Sequence, residues 1–217
     1  MQNCSSPDGP ALLEALRPVF DLRAIRPVVN ISIPSIVNVD FVVVGILGVD
    51  EKAQLLTTFI MQMLWWKNEF ISWDQKQCSA QWITVPRKLL WIPDIVINEF
   101  MEKNTAQFTP YVVVFNNGMV MDIQPVRVVS SCRLDIYTFP FDIQNCTLTF
   151  NSYMHRISTL RIGRLYSEEN IFNFSKRMMA TMGEWELIGI KALQQLQNSS
   201  NNEIYEDLRF FVRAVFR

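Results

Sequence analysis

From about Val28 onward the chain is a succession of apolar, largely β-branched runs separated by short polar turns, a texture that predicts strands. Val37-Asn-Val-Asp-Phe-Val-Val-Val-Gly-Ile-Leu is the densest of these runs, and Gly48-Val-Asp-Glu51 reads as the turn that follows it. Thr57–Trp66 comes next, with Phe59, Met61, Met63 and Trp65 on one face by the period-two rule. Tyr111–Phe115 and Met119–Ile123 flank Asn116-Asn117-Gly118, a strong short-range hairpin signal. Further strands read at Cys146–Tyr153, Trp185–Gln197 and Glu203–Phe216, with Asn198–Asn202 as a polar hairpin tip. Before all of these, Pro10–Leu16 carries proline at a first helical position and apolar residues on one side, which predicts a short helix. Strand, turn, strand at regular spacing predicts an all-β, two-sheet sandwich forming one domain over residues 1–217. Leu208–Arg217 is still in strand texture where the chain stops, so a further segment is expected beyond it.

Composition narrows the function classes. Apolar residues make up 49% of the chain, enough for a sizeable core, and the net charge of −1 without a basic stripe argues against a nucleic-acid partner. No window approaches 18 consecutive apolar residues, so no span is expected within these residues. Met1 is followed by Gln-Asn-Cys, not by a basic and then apolar leader. Four cysteines (Cys4, Cys78, Cys132, Cys146) allow three pairings. With one histidine and no C-x-x-C, a zinc site lacks ligands; no metal and no cofactor is expected. Five N-x-[ST] sequons, at Asn3, Asn30, Asn145, Asn173 and Asn198, together with an even cysteine count, favour an extracellular, glycosylated context.

Catalytic sets are missing. His155 is alone, and no G-x-S-x-G elbow supports it. Glu184 and Glu186 flank Trp185 and read as a solvated strand face. The seven glycines form no phosphate cradle, and Trp66, Trp91 and Trp185 read as core. A binding protein, not an enzyme, is expected.

One segment breaks the rule that connecting loops are polar. Cys132 and Cys146 bracket Phe139-Pro140-Phe141-Asp142, an apolar wedge aimed at something outside its own domain. This segment resembles the signature loop of the pentameric Cys-loop ligand-gated ion channels. Trp91-Ile-Pro-Asp94, Asn98-Glu99-Phe100, Leu134-Asp-Ile-Tyr137, Gln144–Phe150 and Gly183-Glu-Trp-Glu-Leu187 resemble serotonin type-3 receptor subunits in particular, and Val49-Asp-Glu-Lys52 and Trp73 fit as well.

The resemblance implies a short helix on a sandwich of about ten strands, disulfides Cys132–Cys146 and Cys4–Cys78, and an extracellular position at the plasma membrane. It implies identical or related subunits in a ring of five, a small-molecule ligand (an amine or another) between neighbours, and membrane attachment through a following segment. Coupling to the pore would run through Glu51, Phe139, Pro140, Phe141 and Asp142. In relatives an arginine just before the first membrane helix pairs with an acidic residue near Glu51; here Phe216 falls on its place and Arg217 one step on, so either the register slips by one or that ion pair is lost. On the principal side of the ligand site the resemblance places Asn98, Glu99, Phe100, Tyr153, Gln197 and Tyr205. On the complementary side it places Met61, Met63, Val113, Met121 and Ile123, where relatives carry mostly aromatic residues and an arginine. A cation–π box contributes about 0.5–2 kcal/mol per good ring, so an aliphatic half predicts weak or no serotonin binding by a ring of this chain alone. Two alternatives share the fold: a secreted soluble ligand-binding protein, and an accessory subunit that does not itself bind serotonin. An immunoglobulin-type adhesion sandwich is disfavoured, since Cys132 and Cys146 are too close in sequence for it.

Overall fold

The structure is a computed structural model that describes the chain except residues 1, 103–105, 107, 133, 135–142, 180–183, 199–202 and 217. The wedge Phe139-Pro140-Phe141-Asp142, most of the expected 198–202 hairpin tip and Arg217 therefore lie outside the described residues.

Ten strands form among the described residues. In chain order they are β1 Ser35–Asp50, β2 Leu55–Lys67, β3 Trp82–Pro86, β4 Ile95–Ile97, β5 Tyr111–Phe115, β6 Met119–Ser131, β7 Ile143–Ser152, β8 Leu160–Gly163, β9 Trp185–Asn198 and β10 Ile204–Phe216. One sheet has six strands in the order β3-β5-β6-β2-β1-β8, the other four in the order β4-β7-β10-β9. All pairings are antiparallel except β1 with β8.

Alternation builds the core. Val37, Val39, Phe41 and Val43 of β1, Leu56, Ile60 and Trp66 of β2, and Leu148, Phe150, Leu208, Phe210 and Val212 opposite them are all buried. Phe41 of the first sheet meets Phe210 edge-on at 4.8 Å and Phe150 at 5.9 Å, so three rings tie the sheets together. The helix α1 runs Gly9–Phe20, longer than the expected Pro10–Leu16, and buries Leu12, Leu16, Val19 and Phe20. Asp8 caps it by accepting from the Ala11 N–H at 2.8 Å. The hydroxyl of Ser6 and that N–H hold the Asp8 carboxyl below its ordinary pKa.

One expectation is corrected. Gly48-Val-Asp is not a turn but the end of β1; the reversal comes at residues 51–54, where Gln54 takes a positive φ of 57° and Asp50 accepts from the Ala53 N–H. Between Tyr153 and Trp185, where no element was expected, stand β8 and a helix, α3 (Glu168–Met178), which lies over β1 and β9. The hairpin at Asn116–Gly118 forms as expected. Gly118 has φ 83°, and a Cβ there would stand 2.3 Å from the Ile71 carbonyl oxygen, so only glycine fits.

Disulfides join Cys132 to Cys146 and Cys4 to Cys78, the latter tying the N-terminal arm to the short helix α2 (Gln75–Cys78).

Candidate functional site

The complementary-side residues form one surface. Met61 and Met63 on β2, Met121 and Ile123 on β6, and Val113 on β5 all point away from the core, and the register sets Met63 beside Ile123 and Val113 beside Met121. Trp65, beside Met121, stacks on Phe115 with ring centroids 6.0 Å apart. Every one of these side chains is half-buried in the single chain. The result is an apolar plate on the outer face of the six-stranded sheet, and methionine makes it compliant.

The principal-side residues gather on the other sheet. Asn98, Glu99 and Phe100 follow directly on β4, which pairs with β7. Glu99 does not present a free carboxylate: its Oε2 accepts from the Thr149 N–H at 2.7 Å and its Oε1 from the Thr149 hydroxyl at 2.6 Å. Phe100 packs against the core on the inner side. Gln197 and Tyr205 are cross-strand partners near the end of the β9–β10 hairpin, and the Tyr205 hydroxyl donates to Glu203 Oε2 at 2.9 Å.

Tyr153, 77% exposed, sits on the loop after β7. That loop is held at two ends. Asp94 accepts from the Ser152 hydroxyl and the Met154 N–H, each at 2.7 Å, and Trp91 meets the His155 ring edge-on at 6.1 Å. Farther on, Arg156 pairs with Glu203, and the Ile157 N–H donates to the Ile204 carbonyl at 3.0 Å, which fastens the loop to the base of the hairpin.

A second acid escaped the sequence reading. Asp207 on β10 is 1% exposed, and neither of its oxygens has a well-formed hydrogen bond. Burial raises its pKa above the ordinary carboxylate value; the nearby Asn151 and Gln197 amides and the Arg209 charge pull the other way, and Glu99 adds to the rise. The visible signal was its place two residues after Tyr205, on the same strand face as that ring.

The remaining expected residues are dispersed. Glu51 is exposed in the β1–β2 turn, and all five sequon asparagines are exposed, Asn145 on β7, Asn173 on α3 and Asn198 at the end of β9. Trp66 is fully buried as expected, while Trp91 and Trp185 are half-buried against the core.

A two-sheet sandwich whose Cys132–Cys146 disulfide closes the segment between β6 and β7 has the architecture of a Cys-loop receptor ligand-binding domain. The chain belongs to the family described as the neurotransmitter-gated ion-channel ligand binding domain, which matches residues 11–214. It is 36% identical over 191 residues to the 5-hydroxytryptamine receptor 3A of Rattus norvegicus and 39% identical over 202 residues to the 5-hydroxytryptamine receptor 3E of Homo sapiens. Those alignments cover 88% and 91% of this chain but 39% and 43% of the relatives, so the chain spans about two fifths of their length. The fold matches AChBP from Bulinus truncatus with a TM-score of 0.80 at 18% identity, covering 94% of this chain and 98% of that one.

Proposed function

We propose that this chain is the extracellular domain of a serotonin type-3-like channel subunit that assembles into a ring of five and binds a small ligand between neighbours. The observation that carries the reading is the separation of the half-sites. Gln197 and Tyr205 lie in the four-stranded sheet and Glu99 and Tyr153 just beyond its strands, while the methionine plate lies on the outer face of the six-stranded sheet. One chain cannot close a pocket from both, whereas two copies set side by side present one face of each.

The ligand preference follows from the side chains. A cation entering this pocket would meet the Tyr153 and Tyr205 rings on one side, with the Asp207 carboxylate buried beneath that surface, and aliphatic surface on the other. Serotonin is therefore a weak ligand for a ring of identical copies, and a bulky apolar amine suits it better. Calorimetry on the purified ring tests this: sub-micromolar serotonin affinity would overturn it. Met61→Trp restores one ring to the plate and is expected to raise amine affinity by about 3- to 30-fold; no gain means that the pocket is closed for another reason. The aliphatic plate also favours a second reading, an accessory subunit that lends only its principal half-site to a partner bearing an aromatic complementary face. Stronger amine binding by mixed rings than by rings of this chain alone would select it.

A further inference from the structure

We infer that the outer face of the four-stranded sheet carries a second small-molecule site, one that takes an apolar molecule bearing a single sulfate, sulfonate or carboxylate group. The site is an open cleft of about 530 Å³ lined by Ile143 and Asn145 of β7, Lys191 of β9, and Phe211 and Arg213 of β10. All three strands belong to the four-stranded sheet, so the cleft is separate from the methionine plate. Alternation fixes which way these side chains point. Gln144, Cys146, Ile190, Phe210 and Val212 are buried, so their neighbours in sequence turn outward. Register then builds the walls: Phe211 lies between Thr147 and Lys191, and Arg213 between Asn145 and Gly189. Gly189 leaves the hollow. It carries no side chain, and a Cβ placed there would meet Arg213 Cδ at 3.9 Å, an ordinary contact.

Charge decides the chemistry of the guest. Lys191 and Arg213 are diagonal neighbours across β9 and β10, a relation that sets Cβ atoms about 7 Å apart. Among the described residues neither has a hydrogen bond or an ion pair. No acid lines the cleft. Of the acids nearest on the same strands, Glu186 pairs with Lys176 of α3 at 3.5 Å, and Asp207 lies within the field of Arg209. Two unpaired cations this close repel each other, and one anionic group set between them pairs with both. The Arg213 guanidinium, half-buried, offers a planar fork that suits a sulfonate or carboxylate. Beside the cations, the half-buried Phe211 ring and the 47% exposed Ile143 supply apolar wall for the rest of the guest. An amine would add a third cation to the cleft, so this site selects the opposite sign of charge from the pocket proposed between subunits.

2-Naphthalenesulfonate is the probe, with the uncharged 2-naphthalenesulfonamide and the cationic 2-naphthylmethylamine as comparisons, each titrated by calorimetry into the purified Asn145→Gln chain. That background removes the sequon, whose glycan would overhang the cleft, and keeps an amide at the rim. The sulfonate is expected to bind saturably at one site per chain and about tenfold more tightly than the sulfonamide, with the amine not measurable. Lys191→Met and Arg213→Met should each weaken the sulfonate about threefold, while Lys191→Arg keeps its affinity. Gly189→Val, which fills the hollow, should abolish binding of sulfonate and sulfonamide alike. Lys191 is exposed, so its substitution decides the matter even where the filling variant does not fold. Absence of saturable binding, equal affinity for sulfonate and sulfonamide, or unchanged affinity in both methionine variants would each overturn the proposal. Capture of the chain by phosphatidylglycerol vesicles through Lys191, without binding of the free sulfonate, would make the partner a lipid surface and overturn it too. None of these outcomes depends on whether amines bind between subunits.

Discussion

Glu99 and Asp207 interact on the same sheet face, yet their carboxylates have different standing. Glu99 is consumed by the backbone and hydroxyl of Thr149, a residue 50 positions away in sequence, and that pairing was invisible to a reading of local motifs. Asp207 is buried without a well-formed partner, which costs stability and sets a negative charge beneath the surface that a cation would approach. Asp207→Asn is therefore expected to weaken amine binding while stabilising the fold by about 1 kcal/mol at pH 7. The sign with pH follows from the raised pKa. In the folded chain Asp207 holds its proton to higher pH than in the unfolded chain, so the group costs nothing below the unfolded carboxylate value, and the cost grows as pH rises through the folded one. Urea unfolding at pH 7 and at about pH 4 checks this: the advantage of Asn should be present at the higher pH and nearly gone at the lower. An equal advantage at both would mean that burial of the charge is not its source.

Among the elements, α3 is the longest that hydrophobic patterning did not reveal. Signals were there: Ser167 accepts from the Asn170 N–H as an N-cap, Glu168 and Glu169 occupy the first turn, and Lys176 and Arg177 the last. They were outweighed by the β-rich runs on either side. The long strands were legible because each has one buried face, whereas short edge strands such as β3 and β4 give too few residues for a period to register. The structural work of α3 is done by Ser175, which is fully buried; its hydroxyl donates to the Ile171 carbonyl at 2.7 Å and accepts from the Val43 N–H at 2.9 Å. Val43 needs that acceptor because β8 pairs with β1 only over Ser35–Asn38. Ser175→Ala leaves the Val43 N–H buried and unpaired and should cost about 1–3 kcal/mol, with faster amide exchange at Val43. The same substitution destroys the Asn173 sequon, so Asn173→Gln is the necessary comparison: it removes the sequon and keeps the hydroxyl. Matching losses in the two variants would assign the effect to a glycan and not to the cap.

At the scale of the whole molecule, the sandwich and both disulfide pairings were legible, since they rest on alternation and on a family pattern that runs through most of the chain. What that pattern could not supply was which neighbours are satisfied within one chain, as with Glu99, and which surfaces wait for another. The methionine plate is the surface that the proposed ring would cover. Its side chains are only half-buried in the single chain, so a carboxylate placed there remains solvated in the monomer and costs the fold little. Within a ring the same carboxylate is stripped of water against a neighbour's sheet, at several kcal/mol per copy, and five copies share the damage. Met121→Glu should therefore leave the melting temperature of the isolated chain within about 2 °C of the parent while converting rings to monomers in light scattering. Met121→Leu, which keeps volume and polarity, should assemble like the parent. Rings that persist in the glutamate variant would show that this face does not meet a neighbour, and the two half-sites would then have to act apart.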